Sequence, residues 1–319
     1  MASYEPADFS KLRTFPIDRR AHKFDAKDQA GLPSEAATFR DWWNSLPRYL
    51  GANALRTVVD AIVQARRADR PVVMALGAHV VKVGCSPIIC DLIERGIVTA
   101  VAMNGATAIH DVEVATIGQT SEEVADTIRD GSFGMVRETP AFFAEAIGGA
   151  HKGDGLGAAL GRHAVKIKTP NEKLSILAAA HKKRVPACVH VALGTDTIHM
   201  HAAVAESDMM RLSGIDFRLI CSVVADMAPA GGKSAGVWCN VGSAVVLPEV
   251  FLKALAVARN MGANLDDIHT ANFDMIRHYR PSENVIGRTV KKGHGHQITG
   301  HHEIMLPLLR QALIEAMKS

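Results

Sequence analysis

Aromatic residues are scarce in this chain: three Trp, three Tyr and ten Phe among 319 residues. So thin a set argues against a base-stacking surface. A charge excess is missing too. The formal net charge is +3, too small for a polybasic surface aimed at nucleic acid or membrane. No apolar run approaches the roughly 20 residues a membrane-spanning helix needs, and no secretory pattern opens the chain. A cytoplasmic protein without nucleic-acid or membrane partners is expected. The five cysteines are Cys85, Cys90, Cys188, Cys221 and Cys239. Their odd number and apolar surroundings exclude a disulfide framework and suit free buried thiols. Two phosphate-binding signatures are also lacking. No G-x-G-x-x-G follows a strand, and "AGGKSAG" (230–236) imitates a Walker loop without its leading glycine, because Met227 stands there.

What is present is a rhythm. Hydrophobic residues make up 48% of the chain, enough for a large core. Residues 1–50 are charged and without a period, and read as an N-terminal arm ordered against a neighbouring subunit. From there short apolar runs ("PVVMAL", "VTAVAM", "VPACVHVAL", "SAGVWCNVG", "DDIHTANF") alternate with helical patterns such as "PIICDLIERG" and "PEVFLKALAVARNMG". Buried strands alternating with helices predict a Rossmann-like α/β domain over 51–319, a parallel sheet with helices on both faces.

In such sheets ligands lie beyond the carboxyl ends of the strands. Five segments fall at that edge: "GAHVVKVG" with Gly77, "NGATAIHD", "GTDTIHMH", "NVGSAVVLPE" and "HTANFD". Small residues let a ligand approach the backbone, and helix starts offer N–H groups to phosphate. Packing of helices on the sheet would explain each segment singly; together they predict a ligand edge.

The order and spacing of these segments resemble the deoxyhypusine synthase family. "ALGAHVVKVGCSPIICDLIERGIVTAVAMNGATAIHD", "HKKRVPACVHVALGTDTIHMH" and "VWCNVGSAVVLPEVFLKALAVARNMGANLDDIHTANFD" carry the resemblance, which runs from about Val72 to Glu283. It implies a Rossmann-like fold, a homotetramer with sites near subunit interfaces, and NAD as cofactor. It also implies NAD contacts at Asn104, Gly105, Ala106, Asp196, Gly242, Ser243, Thr270 and Ala271, and an amine-contacting carboxylate at Glu283. The family's Ser-Trp-Gly-Lys imine carrier is not matched: the region reads "ENVIGRTVKK", with Arg288 near the lysine's place. Arginine stays protonated and cannot act as an amine nucleophile. The expectation is therefore an NAD-dependent enzyme acting on a small molecule bearing an amine or hydroxyl, with NAD recycled in place. Aminobutyl transfer of the deoxyhypusine or homospermidine type, ornithine cyclodeaminase-like deamination, a histidine-based metal hydrolase without NAD, and a non-catalytic scaffold stay open.

Individual residues sharpen this. Lys82, between apolar neighbours in the first edge segment, is either an amine nucleophile of lowered pKa or a phosphate contact. His110 and Asp111 open a helix, as a helix-start pair or as a proton acceptor and a ribose ligand beside the cofactor. "HMH" with His201, "HGH" and "HHE" could meet as a metal constellation, but structural histidines are the simpler reading and no metal is expected. Arg277 and Arg280 follow an edge segment and could clamp a carboxylate, which predicts a substrate smaller and more anionic than spermidine.

Overall fold

The computed structural model describes residues 3–231 and 234–318. Gly232 and Lys233, part of the Walker-like stretch, lie outside the described residues. The chain divides into two compact units after Tyr49. The first holds three single 3-10 turns and α1 (Phe39–Ser45), which starts on a capping box made by Thr38 and Asp41. Phe24 stacks on Tyr49 at 5.6 Å between ring centroids, and the Tyr49 hydroxyl bonds the Asp25 carbonyl at 2.7 Å. The unit buries little: Phe9, Phe15 and Phe24 remain 75%, 64% and 63% exposed.

The second unit begins with α2 (Leu50–Arg67) and β1 (Val72–Leu76), then α3 (His79–Lys82), α4 (Ser86–Glu94) and β2 (Ala100–Asn104). Helices α5 (Gly105–Ile117), α6 (Val124–Asp130), α7 (Glu138–Gly148), α8 (Leu156–Lys166) and α9 (Ile176–Lys183) lead to β3 (Ala187–His190). Next come α10 (Glu206–Asp226), β4 (Val237–Val241), α11 (Val246–Asn260) and β5 (His269–Asp274). A short α12 (Tyr279–Pro281) and a π-helical turn (Ser282–Gly287) precede β6 (Gly295–Thr299) and α13 (His302–Met317).

All six strands are parallel, in the order β3-β2-β1-β4-β5-β6. The direction of winding therefore reverses between β1 and β4, the switch point of a Rossmann-type sheet. Strands β1 and β4 are buried along their whole length, which is why they read as unbroken apolar runs. Val73, Ala75 and Trp238 meet Ile220, Val224, Leu247 and Phe251 of α10 and α11 in one core layer, and Trp238 stacks on Phe251 at 4.6 Å. Val72, Met74 and Leu76 point to the opposite face and are fully buried there. Among the described residues no helix is long and apolar enough to cross a membrane. All five cysteines are free and buried.

One expectation fails here. "HTANFD" is not an edge loop but β5 itself, so Thr270 and Ala271 sit inside the sheet, paired in register with Trp238 and Cys239. The Thr270 hydroxyl donates to the Val285 carbonyl at 2.7 Å, a bond within the fold. The "HGH" stretch, one part of the metal constellation considered, runs into β6, an edge strand whose side chains are only in part buried.

Candidate functional site

Helix α5 starts without a loop, directly at the end of β2. Asn104 makes this possible, because its side-chain oxygen accepts the Thr107 N–H at 2.9 Å and caps the helix. Asp196, in the segment after β3, lies against the same helix start. Its carboxylate lies near the backbone N–H groups of Ala106 and Ala192, and its Oδ2 stands 3.8 Å from His199 Nε2. A Cβ at Gly105 would stand 2.0 Å from Asp196 Oδ2, so only glycine lets the carboxylate approach. Burial pushes the Asp196 pKa up, and nearby His199 and the two backbone N–H groups offset this only in part. Asp196 Oδ2 is buried and has no hydrogen-bond partner among the described residues.

In front of this helix start opens a pocket of about 820 Å³, within the range of small-molecule and cofactor sites. Lys82 of α3, Ala106 and His110 of α5, and Asp196 all line it. His110 is the center of a relay. Its Nδ1 lies 2.6 Å from Thr120 Oγ1. Thr120 donates its single hydroxyl proton to Glu113 Oε2, and Thr139 donates to Glu113 Oε1 at 3.0 Å. Burial would raise the Glu113 pKa, but nearby His110 and the bonds from Thr120 and Thr139 outweigh it and hold the carboxyl below its ordinary value. Glu113 is thus ionised at neutral pH. Since Thr120 spends its proton on Glu113, its oxygen must accept from His110, and the imidazole carries its proton on Nδ1. Nε2 is left as the basic nitrogen. This is how a general base is oriented.

The pocket gathers Lys82, Ala106, His110 and Asp196 from the sequence reading, with Asn104 and Gly105 directly behind them. Other candidates lie elsewhere. Asp111 points away: fully buried, it accepts from the Ser175 hydroxyl at 2.6 Å and the Ile176 N–H at 2.7 Å, capping α9. Burial raises its pKa to about 6. It is a structural cap rather than a ribose ligand. Gly77 and Gly242 touch each other at the switch point, where a Cβ on Gly77 would stand 2.0 Å from the Gly242 carbonyl oxygen. Gly242 has φ +66°, and a Cβ there would meet the His302 ring at 2.7 Å. The Ser243 hydroxyl accepts the Leu247 N–H at 3.2 Å. These three residues are accounted for by packing and capping within the protein.

His201 supports the pocket from outside, its Nε2 donating to the Gly134 carbonyl at 2.8 Å. Glu283 lies in the π-helical turn and is not part of the pocket wall. Arg280 pairs with Glu249 at 3.4 Å and Arg277 bonds Thr299 at 3.4 Å, both exposed and neither in the wall. They form no clamp, and the expected anionic substrate loses its support. The histidine clusters do not converge. His302 donates from Nε2 to the Phe273 carbonyl at 3.1 Å and so accepts from His79 on Nδ1 at 2.9 Å. His269 stacks between His294 and His296 at 4.3 and 5.5 Å. Among the described residues no group of three or more His, Cys, Asp or Glu side chains could hold a metal ion.

Glu113, Thr120 and Thr139 were not singled out from the sequence. Glu113 left a signal: in "HDVE" it stands three residues after His110, on the same helix face. Thr120 lies beyond the helix end at Gly118 and Thr139 in α7, and only the fold brings them to Glu113.

No protein-family profile matches the chain, and no curated protein matches it in sequence. Solved structures do match in fold. A conserved protein described as LOR/SDH, from Methanococcus maripaludis S2, superposes with a TM-score of 0.54 at 13% identity, over 84% of this chain and 70% of that one. AgrE, solved as a ternary complex with ornithine and NAD+, gives 0.51 at 12% identity, over 83% of this chain and 33% of that one. This chain thus spans about a third of AgrE's length. A protein described as a deoxyhypusine synthase from Entamoeba histolytica gives 0.49 at 8% identity, over 89% and 95%. Identities this low speak for the fold, a parallel sheet flanked by helices as the resemblance implied.

Proposed function

We propose that the chain is an NAD-dependent enzyme that oxidises a small amine-bearing substrate in the pocket before α5, with His110 as the proton acceptor. One observation carries this: the His110–Thr120–Glu113 relay, which leaves Nε2 unprotonated on a residue that lines the pocket. The fold likeness to AgrE, solved with ornithine and NAD+, supports the choice of cofactor.

The residues present suit a dinucleotide in two respects. Asp196 Oδ2, buried with no hydrogen bond and 3.8 Å from His199 Nε2, is an acceptor for a ribose hydroxyl. Lys82 is the cation lining the pocket, and would pair with a phosphate oxygen. The glycines at the switch point are no part of this site. When bound, NAD supplies an acceptor for the hydride leaving the carbon that bears the amine. His110 Nε2 takes the proton that the nitrogen loses as the C=N bond forms. Glu113 then holds the imidazolium through Thr120. Glu113, Glu122 and Glu138 line the pocket along with Asp196, and this excess of carboxylates over Lys82 favours an ammonium group on the substrate.

A homotetramer belongs to the same proposal. The exposed Phe9, Phe15 and Phe24 of the first unit are the kind of surface that a second copy would cover, and light scattering should give about four times the chain mass. The function is tested by following NAD reduction at 340 nm across a panel of small amines. His110→Asn should lower turnover by about 10²- to 10⁴-fold while NAD still binds. Undiminished turnover in that variant would remove His110 from the chemistry.

A further inference from the structure

Thr120, which bridges His110 and Glu113, does not belong to α5. It stands in the segment 119–136, which contributes Gln119, Thr120, Glu122, Phe133 and Gly134 to one wall of the pocket. This segment is loosely attached. Its helix α6 has no buried residue, and Ile128 is 59% exposed. The backbone is in the left-handed region at Gly118, Ser121, Gly131 and Gly134, positions where a chain changes direction. Its bonds are largely internal, among them Gly134 N–H to Glu122 Oε1 at 2.9 Å and Phe133 N–H to the Thr127 carbonyl at 3.1 Å. Its ties to the surrounding protein lie near its ends. At one, Thr120 meets Glu113 and His110. At the other, His201 Nε2 holds the Gly134 carbonyl at 2.8 Å, and Gly134 nests so closely on Thr197 and Met200 that a Cβ would come within 2.7 and 2.8 Å of them.

We propose that residues 119–136 form a strap across the pocket, latched by His201, and that Thr120 is the positioning residue through which strap closure sets the tautomer of His110. The reason is geometric. Without Thr120, Glu113 Oε2 lies 3.5 Å from His110 Nδ1, beyond a good N–H···O bond. A lifted strap therefore leaves Nδ1–H without its acceptor and frees the ring to move its proton to Nε2, the nitrogen that must be bare to act as base. Closure over a bound substrate restores the relay, so the base is assembled only when the pocket is covered. This rests on the reading of His110 as the base, but its test needs neither NAD nor substrate.

The full-length chain with 15N-labelled histidine reports the His110 tautomer from its imidazole 15N shifts, and hydrogen exchange reports the strap. Wild type should show Nδ1–H at His110. Thr120→Val should lose that preference, and Thr120→Ser, which keeps the hydroxyl, should retain it. His201→Ala should speed exchange in 122–136 by about tenfold or more, the loss of one latch bond of about 1.5 kcal/mol, and should shift the tautomer as Thr120→Val does. An unchanged tautomer in Thr120→Val would overturn the proposal. So would His201→Ala that leaves exchange unchanged, or that frees the strap without moving the tautomer. A wild-type protein that reduces no NAD would sink the function proposed above and leave this result standing.

Discussion

At the switch point between β1 and β4 the protein fills its own crevice; beyond β2 and β3 it leaves one open. Both places carry small residues at strand ends, and in sequence they look alike. At the first, Gly77 lies on the Gly242 backbone and His302 covers Gly242, so each missing side chain is replaced by protein. At the second, Gly105 makes room for the Asp196 carboxylate, and that carboxylate keeps a buried oxygen without a hydrogen bond, 3.8 Å from His199, beside a pocket of about 820 Å³. The difference is in what occupies the space a Cβ would take. A glycine packed on satisfied backbone is architecture; a glycine that admits an unsatisfied polar group points to a ligand.

Predictions that separate the two places begin at the open one. His110→Asn should lower turnover by about 10²- to 10⁴-fold, with thermal stability nearly unchanged because the ring is on the pocket wall. Steady-state kinetics and a melting curve together check this.

Buried carboxyls that belong to the architecture should show themselves in stability instead. Burial raises Asp216 to about 7 and Asp111 to about 6, and their backbone and hydroxyl bonds offset this only in part. The folded protein thus keeps protons that the unfolded chain releases above pH 4. Stability should fall as pH rises from about 4 to about 7, by on the order of 3 kcal/mol for Asp216 alone. Asp216→Asn should flatten that slope, as read from urea unfolding at a series of pH values. A profile equally steep in the variant would remove Asp216 as its source.

Gly242→Ala should cost about 2 kcal/mol of stability, since it combines a φ of +66° with a Cβ 2.7 Å from His302. NAD affinity of the folded protein should not change. The smallest effect is expected at Arg280→Ala, whose exposed pair with Glu249 contributes under about 1 kcal/mol. Its KM should stay within about twofold of wild type, against a larger rise if the arginine clamps substrate.

The layered fold was legible because its central strands are buried on both faces and read as apolar runs between helical patterns. Strand β6 was not, since an edge strand with His296 and Ile298 inward and Gln297 partly exposed has no apolar run to show. Thr270 and Ala271 were misplaced for a related reason: "HTANFD" is polar, and its polar groups are satisfied inside the sheet, as where Asn240 bonds Asn272 at 2.7 Å. At the site, His110 and Lys82 were found as ionisable residues near strand ends, and Asp196 through the family resemblance. Asp111 was found for the same reason and wrongly assigned, because its partners on α9 are more than sixty residues away. Residue type and strand position say where a charge could matter. They do not say which neighbour already satisfies it.

The most direct test of the account places NAD at one end of the sheet or the other. Calorimetric titration of NAD into wild type, Asp196→Asn and His79→Ala compares the open pocket with the filled switch point on the same fold. The account predicts that Asp196→Asn weakens binding by about tenfold, the worth of one buried hydrogen bond, and that His79→Ala leaves it unchanged. Weakened binding in His79→Ala with full affinity in Asp196→Asn would put the cofactor at the switch point and contradict the account.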